Sequence, residues 1–478
     1  MGPARRCVKR ATDFGDPRPR RRRIPAVTPL IRRAHRIFVP VVLVVIAAGC
    51  STVPPASPLG KSPTPSPASL GSASSAAPDP RPTASPSRAS PTVAEIARLQ
   101  SAVTAHPNDG DAQRDLGFAL TQRVRETADP SLYAPAMDAF HAALRVQPDD
   151  ALSLVGVAGV QLGKHQFADG LVTARRAIAL SPSLVAAHAA EVDALVELGR
   201  YDEADRAAGE MLGLGANLTT LARVSYLAEL RGRLPAALAA MRGAAASPGL
   251  APENSAYVDA LLGNLLVYTG DRSGAADAYR RALSLVPDHA PSLAGEGRLA
   301  VGAGRFDDAI ALFGRAAAVV PLPEYVIARG DAQAAAGHGE DATKSYEVAR
   351  AEIRLFQSAG VVVDVDLALL EADHGDPAAA LGYAMAAIRE TPTVRAADAV
   401  AWALHRLGRD REAMTRVKEA LLLGSVDPIL RYHAGAIEAA LGHAAAARRD
   451  LSMALAMDPG FSATGAADAR RLLDGLPD

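Results

Sequence analysis

The sequence predicts an all-α fold: a solenoid of about ten helical hairpins stacked side by side. Three observations carry this expectation. Proline recurs at a fixed period, 34 residues from Pro148 to Pro182 and again from Pro287 to Pro321. Glycine punctuates the amphipathic segments between them, at Gly199, Gly270, Gly304, Gly408 and Gly442. Five residues after each of these glycines stands a small side chain: Ala204, Ala275, Ala309, Ala413 and Ala447. A fixed period of this length marks stacked supersecondary units, each too small to bury a core alone.

The chain begins with a different composition. Residues 1–36 carry twelve Lys/Arg against Asp13 and Asp16, a net of +10, so that with −1 for the whole chain the remainder carries −11. The ordered part is mildly acidic, which argues against a nucleic-acid binder, because phosphate neutralisation needs clustered Lys and Arg. Residues 37–48, IFVPVVLVVIAA, form an apolar run too short to span a bilayer comfortably, which suits a signal-peptide core behind Arg32, Arg33 and Arg36. Ala47-Ala48-Gly49-Cys50 follows directly. This stretch resembles the lipobox of bacterial lipoproteins, with Ala47 where leucine is usual. The resemblance implies removal of residues 1–49 as a lipoprotein signal peptide and acylation of Cys50, palmitate included. Two acyl chains suffice for stable membrane attachment where one is marginal. The implied location is the extracytoplasmic face of the cell membrane, in the cell envelope. Cys7 and Cys50 are the two cysteines, and both precede the repeats, so the folded region has no disulfide framework or cysteine zinc site.

Residues 50–91 read as a stalk. Ser, Thr, Ala and Pro dominate KSPTPSPASLGSASSAAPDPRPTASPSRASP, a composition that cannot bury a core. Fully extended it would reach about 125 Å, and as a coil nearer ~40 Å.

From residue 92 to 460 the hairpins take over, with a capping helix over Thr92–His106 at the front. Each punctuating residue has a physical task. Glycine ends the first helix, where the chain turns through positive φ. The small residue after the turn lets the paired helices approach, at Ala136, Gly170, Ala204, Ala237, Ala275, Ala309, Ala342, Ala380, Ala413 and Ala447. Seven residues on, alanines such as Ala143, Ala177, Ala282 and Ala316 do the same between neighbouring units. An aromatic between the two sets, Phe140, Tyr279, Phe313 or Tyr346, fills the space they leave. Proline stops the second helix. Arg354 and Ser425 replace it in two units, about seven extra residues surround Asp129-Pro130, and AEIRLFQSAGVVVDVDLALLEAD predicts a longer pair broken at Gly360. Residues 461–478 close the array, with a capping helix over Ala466–Leu473, because a solenoid must cover its open end.

These cassettes, among them ELGRYDEADRAA, YTGDRSGAADAYRRALSLVPD and GAGRFDDAIALFGRAAAVVP, resemble the tetratricopeptide consensus. Longer stretches, ARVSYLAELRGRLPAALAAMR, PLPEYVIARGDAQAAAG and ADAVAWALHRLGR, are similar to a bacterial group of tetratricopeptide proteins. The resemblance implies a right-handed superhelix whose first helices line a concave groove, and no particular activity. Groove candidates are the residues of those helices that lie off the apolar stripe: Asp193, Glu197, Tyr226, Arg231, Asn264, Tyr268, Arg298, Asp331, Trp402, His405 and Arg406. Trp402, His405 and Arg406 share one helix face, and Trp, Tyr and Arg dominate binding hot spots. For Trp402 the core is the favoured place, and an exposed aromatic anchor for a peptide is the alternative.

Catalytic signatures are absent. The sequence holds no G-x-x-x-x-G-K-[ST] and no H-E-x-x-H, and Gly295-Glu296-Gly297 is a lone short match inside a first helix. His165, His338, His374 and His443 fall in or beside turns, which reads as surface chemistry, and His433 and His443 lack the spacing of a helical metal pair. Asp364, Asp366 and Glu371 miss a shared face and read as solvated. The expectation is a non-enzymatic scaffold, without cofactor or metal, that binds proteins or peptides through its groove. The alternative is a lipoprotein that senses or delivers a small molecule or glycan.

Overall fold

The computed structural model describes residues 91–247, 252–425 and 427–477. The expected signal peptide, Cys50 and all of the expected stalk before Pro91 lie outside them. Among the described residues there are helices and no strands. Helix α1 (Pro91–Ala105) stands first. The first five hairpins follow: α2 (Gly110–Thr127) with α3 (Tyr133–Val146), α4 (Ala151–Gly163) with α5 (Phe167–Leu180), α6 (Val185–Glu197) with α7 (Tyr201–Leu214), α8 (Leu218–Leu230) with α9 (Leu234–Ala245), and α10 (Pro252–Tyr268) with α11 (Arg272–Leu285). Five more complete the array: α12 (Ala290–Gly302) with α13 (Phe306–Val319), α14 (Pro323–Ala335) with α15 (Gly339–Ser358), α16 (Asp364–His374) with α17 (Pro377–Glu390), α18 (Val394–Arg406) with α19 (Asp410–Ala420), and α20 (Pro428–Ala440) with α21 (Ala444–Met457). Helix α22 (Ala463–Gly475) ends the chain.

The punctuation works as its chemistry demands. The turn glycines sit at positive φ, 69° at Gly199 and 80° at Gly270. In the second unit no glycine is available, and His165 takes the left-handed conformation at φ 58°. Asp150, Asn217, Asp271, Thr393 and Asp427 cap first or second helices by accepting hydrogen bonds from backbone N–H groups one turn in, which satisfies donors the helix itself cannot. The extra residues near Asp129 form a single 3-10 turn, Pro130–Leu132, behind a longer α2. The long pair is an α15 of 20 residues followed by Gly360 at φ 76°.

The core repeats with the units. The small residues after each turn are sealed, Ala136, Ala204, Ala237, Ala275 and Ala309 at 0% exposure. Phe140 and Tyr279 of the second helices each lie in a cradle made by glycines of two first helices. A Cβ at Gly117 or Gly156 would stand 2.6 or 2.2 Å from Phe140 Cε1. At Gly263 and Gly295 it would stand 2.4 Å from Tyr279 Cε1. Gly297 does the same for Phe313, at 2.8 Å. The Gly295-Glu296-Gly297 match is therefore a packing device: its two glycines receive the rings of successive units.

The ends are covered as solenoids require. Leu99 of α1 is buried against Leu116 and Leu120 of α2. Ala466 and Ala469 of α22 join the cluster of Trp402, Tyr432 and Leu451. No described helix is long and apolar enough to cross a membrane.

Candidate functional site

The hairpins do more than stack on their neighbours. The turn inside one unit meets the entrance of the unit six places later. Val362 N donates to Lys164 O at 3.3 Å, and His165 Nδ1 bonds Val362 O across 197 residues of chain. One unit further on, Val394 N donates to Tyr201 Oη at 3.0 Å, with 193 residues between them. There the backbones nearly touch, since a Cβ on Gly199 would lie 2.4 Å from Pro392 O. A third unit on, Leu423 packs against the cluster of Leu227 and Leu230, and Asp427 lies within electrostatic reach of Glu229. Met457 closes onto Tyr268 and Leu266, Gly460 onto the end of α12, and Ser462 Oγ donates to Asp331 Oδ2 at 3.3 Å. The array is wound so that one turn rests on the next along a continuous seam. The unusual length of α15 has its use here, because the segment after it carries Val361–Val363 onto the α4–α5 turn.

Beside this seam lies a charged cluster drawn from distant units. Arg395, second residue of α18, pairs with Asp366 of α16 at 2.8 Å. The same guanidinium feels Glu197 of α6 and Glu324 of α14. Loss of surrounding water raises the Glu197 carboxyl to about 7, against the pull of Arg395 and with the push of Asp193 and Asp366. Glu324 keeps an exposed side chain, yet the surrounding protein and the Asp366 charge raise its carboxyl to about 7 as well. Tyr226, Tyr257 and Tyr325 complete the surroundings, their hydroxyls raised first by dehydration and then by these carboxylates.

The residues expected to line the groove fall into three settings. Glu197 and Tyr226 belong to the charged cluster just described. Asp193 is 4% exposed and accepts a bidentate pair from Arg223, with Nε at 2.8 Å from Oδ1, so it ties α6 to α8 and presents nothing to solvent. Tyr268 is 1% exposed within the core. Asn264 accepts from Tyr279 Oη at 2.7 Å and from Arg298, and so holds α10, α11 and α12 together. Arg231 pairs at a hairpin turn with Asp202 and, at 2.8 Å, with Asp205.

The remaining four gather around the last units. Trp402 is 2% exposed, donates from Nε1 to Asp373 Oδ1 at 2.7 Å, and packs on His433 and against Tyr432. The core therefore claims its ring. His405 stacks near it at 5.0 Å and bonds Asp410, while exposed Arg406 donates to Ala372 O at 2.9 Å. Asp331 accepts from Tyr346 Oη at 3.0 Å and meets His374 Nε2 at 3.0 Å, with the His374 ring stacked on Tyr346.

Several polar residues read as solvated are in fact joined. Asp366 is the partner of Arg395, and Glu371 pairs with Arg350 at 2.6 Å. His165 and His374 serve contacts between units, where a free surface position was expected. Arg395, Glu324, Tyr257 and Tyr325 were not singled out at all. The available signal was a charged second residue on the first helices α14 and α18. Among the described residues no group of three or more His, Cys, Asp or Glu is placed to hold a metal.

Comparison with known proteins comes to the same repeat. The family profile described as "Tetratricopeptide repeat" matches residues 294–354. None of the curated proteins matches the chain. Among solved structures, a human IFIT1 dimer with PPP-AAAA is similar at 14% identity, covering 69% of this chain and 78% of that one with a TM-score of 0.43. A tetratricopeptide repeat protein from Parabacteroides merdae is similar at 20% identity, covering 54% of this chain and 97% of that one with a TM-score of 0.32.

Proposed function

We propose that this chain, whose residues 294–354 match the tetratricopeptide repeat profile, acts by holding another protein or peptide on the inner face of its solenoid, tethered to the extracytoplasmic side of the cell membrane. One observation carries the binding half of this reading. First helices of successive units lie side by side, α4 beside α6 and α6 beside α8, and again α16 beside α18. They thereby bring Glu197, Tyr226, Asp366 and Arg395 from four units into one polar surface beside the buried stripe. A surface of this kind offers side-chain hydrogen bonds and charge to an extended segment.

The tether rests on the sequence alone: the positive flank, the apolar run of residues 37–48 and the small residues before Cys50. A stalk of Ser, Thr, Ala and Pro behind it would keep the solenoid clear of headgroups.

Two experiments test the two halves. Crosslinking in cells, followed by mass spectrometry of proteins captured on the full chain, should give partners lost in the Glu197→Lys/Glu324→Lys variant. An identical captured set would remove the inner face from the account. Acyl labelling of wild type against Cys50→Ala should show label and membrane retention in the wild type alone. Equal retention of both would refute the anchor.

A further inference from the structure

The seam concentrates ionisable groups where a stacking contact needs none. At one height Glu197, which ends α6, stands two residues before the Gly199 backbone contact and four before the Tyr201–Val394 hydrogen bond. It faces Arg395 of α18 and Asp366 of α16 across the seam, Tyr226 of α8 and Tyr201 of α7 beside it, and Asp193 on its own helix. Glu324 faces the same Arg395 and Asp366, with Arg298 of α12, Tyr257 of α10 and its neighbour Tyr325 around it. At the next height Glu229 of α8 and Asp427, the cap of α20, come from different turns, each 7% exposed. Their other ionisable neighbours are Tyr226 and Tyr268 near Glu229, and Asp398 and His433 near Asp427. Among the described residues neither carboxyl receives a hydrogen bond from Lys or Arg. Asp193 is committed to Arg223, and Asp366 is the one carboxylate to which Arg395 donates a hydrogen bond.

The charge balance across the seam therefore depends on protons. With Glu197, Glu324, Glu229 and Asp427 neutral, Asp366 and Arg395 cancel and the turns meet without repulsion. With all four ionised, four negative charges meet few cations: Arg395 beside Glu197 and Glu324, Arg298 near Glu324, and the His433 imidazole near Asp427. Like charges drawn together in a dehydrated contact cannot all ionise without separating.

We propose that the seam is a proton-controlled clasp: acid holds successive turns of the solenoid together, and rising pH ionises these four carboxyls, parts the turns and uncovers the inner face. The direction follows from the proton affinities. Dehydration raises all four, Glu197, Glu324 and Asp427 to about 7 and Glu229 well above its ordinary value. The closed state binds protons that the open state releases, so closure is strongest below the ordinary carboxylate range and weakens as pH rises through about 7. Hydrogen bonds within each hairpin do not cross the seam, so the units persist while the turns separate.

Two backbone amides report the clasp directly, because Val362 N–H and Val394 N–H are bonded across the seam to Lys164 O and Tyr201 Oη. Hydrogen exchange of the full chain, corrected for the intrinsic pH dependence of amides, should show their protection falling between about pH 5.5 and about pH 8.5. The expected fall is roughly tenfold or more, the factor supplied by one pKa unit of preferential proton binding. Amides inside α4 and α12 should keep their protection. The variant Glu197→Gln/Glu324→Gln/Glu229→Gln/Asp427→Asn should hold the seam amides protected at both pH values. Glu324→Gln alone, at an exposed position, should reduce the pH response if the fourfold variant does not fold. Wild-type seam protection that is the same at both pH values would overturn the clasp. So would an undiminished pH response in the folded variants. Neither result depends on a partner, so the clasp can fail while the binding role stands.

Discussion

The indole of Trp402 lies flat on the imidazole of His433, ring centroids 3.9 Å apart and planes 12° from parallel, while Asp398 Oδ2 holds His433 Nδ1 at 2.9 Å. Burial by itself would lower the affinity of this imidazole for its proton, but the Asp398 carboxylate, together with Asp373 and Asp427, outweighs it and the His433 pKa is raised. The folded state therefore binds this proton more tightly than the unfolded chain does. The stability so gained is complete below the ordinary histidine pKa of about 6.5 and is lost as pH rises through the higher folded value. Trp402 is the chain's one tryptophan, so its emission reads the pair without interference. A protonated imidazole in face contact quenches indole, so emission should rise as His433 loses its proton. His433→Gln should abolish that step, and an unchanged step would place the titrating group elsewhere.

The glycine cradles predict opposite effects for the same substitution at different sites. Gly156→Ala puts a methyl 2.2 Å from Phe140 Cε1 inside a sealed contact, and overpacking of this kind costs about 1–3 kcal/mol. Gly209→Ala, within α7, meets nothing within 4 Å, and should stabilise by roughly 0.8–1 kcal/mol through helix propensity. Chemical denaturation of the two variants checks both signs. If Gly156→Ala is neutral, the ring is not held as described.

The buried pair of Asp193 and Arg223 joins consecutive first helices with side chains 4% and 1% exposed. Removing one partner leaves the other charge dehydrated and alone, and Asp193→Ala should cost about 3–5 kcal/mol. The double replacement Asp193→Leu/Arg223→Met should recover much of that loss, because it removes both charges together. Urea midpoints of the two variants test the coupling. Equal losses in both would mean that packing, and not the unpaired charge, sets the cost.

Gly199 separates the seam from the ordinary hairpin turn. Both Gly199 and Gly270 sit at positive φ, but a Cβ meets Pro392 O at 2.4 Å in the first case and nothing within 4 Å in the second. Alanine at Gly270 should cost only the backbone strain, roughly 1–2 kcal/mol. Alanine at Gly199 should cost more, with the excess appearing as faster exchange of the Val394 amide. Equal costs would show that the turns do not press on each other here.

Local rules made most of the hairpin architecture readable in advance. Gly at the turn, Ala at the two close approaches and Pro at the helix end are each answers to a steric question posed within about 34 residues of sequence. The irregular stretches near Asp129 and Gly360 were legible for the same reason. Of the groove candidates, Glu197 and Tyr226 join the charged cluster beside the seam and Trp402 takes the core place favoured for it, whereas Asp193 is buried, because position off an apolar stripe does not distinguish facing water from facing a neighbouring helix.

What the sequence by itself determined is the unit and its repetition, since these follow from contacts between residues close along the chain. What only the tertiary structure decided is where the winding brings the units back together. Val362 reaches Lys164 and Val394 reaches Tyr201 because small rotations between adjacent hairpins accumulate over six units. No single rotation has a residue pattern of its own. The partners of Arg395, the dehydration of Glu197 and the pairing of Asp366 all depend on that accumulated rotation, and so became visible only in the folded array.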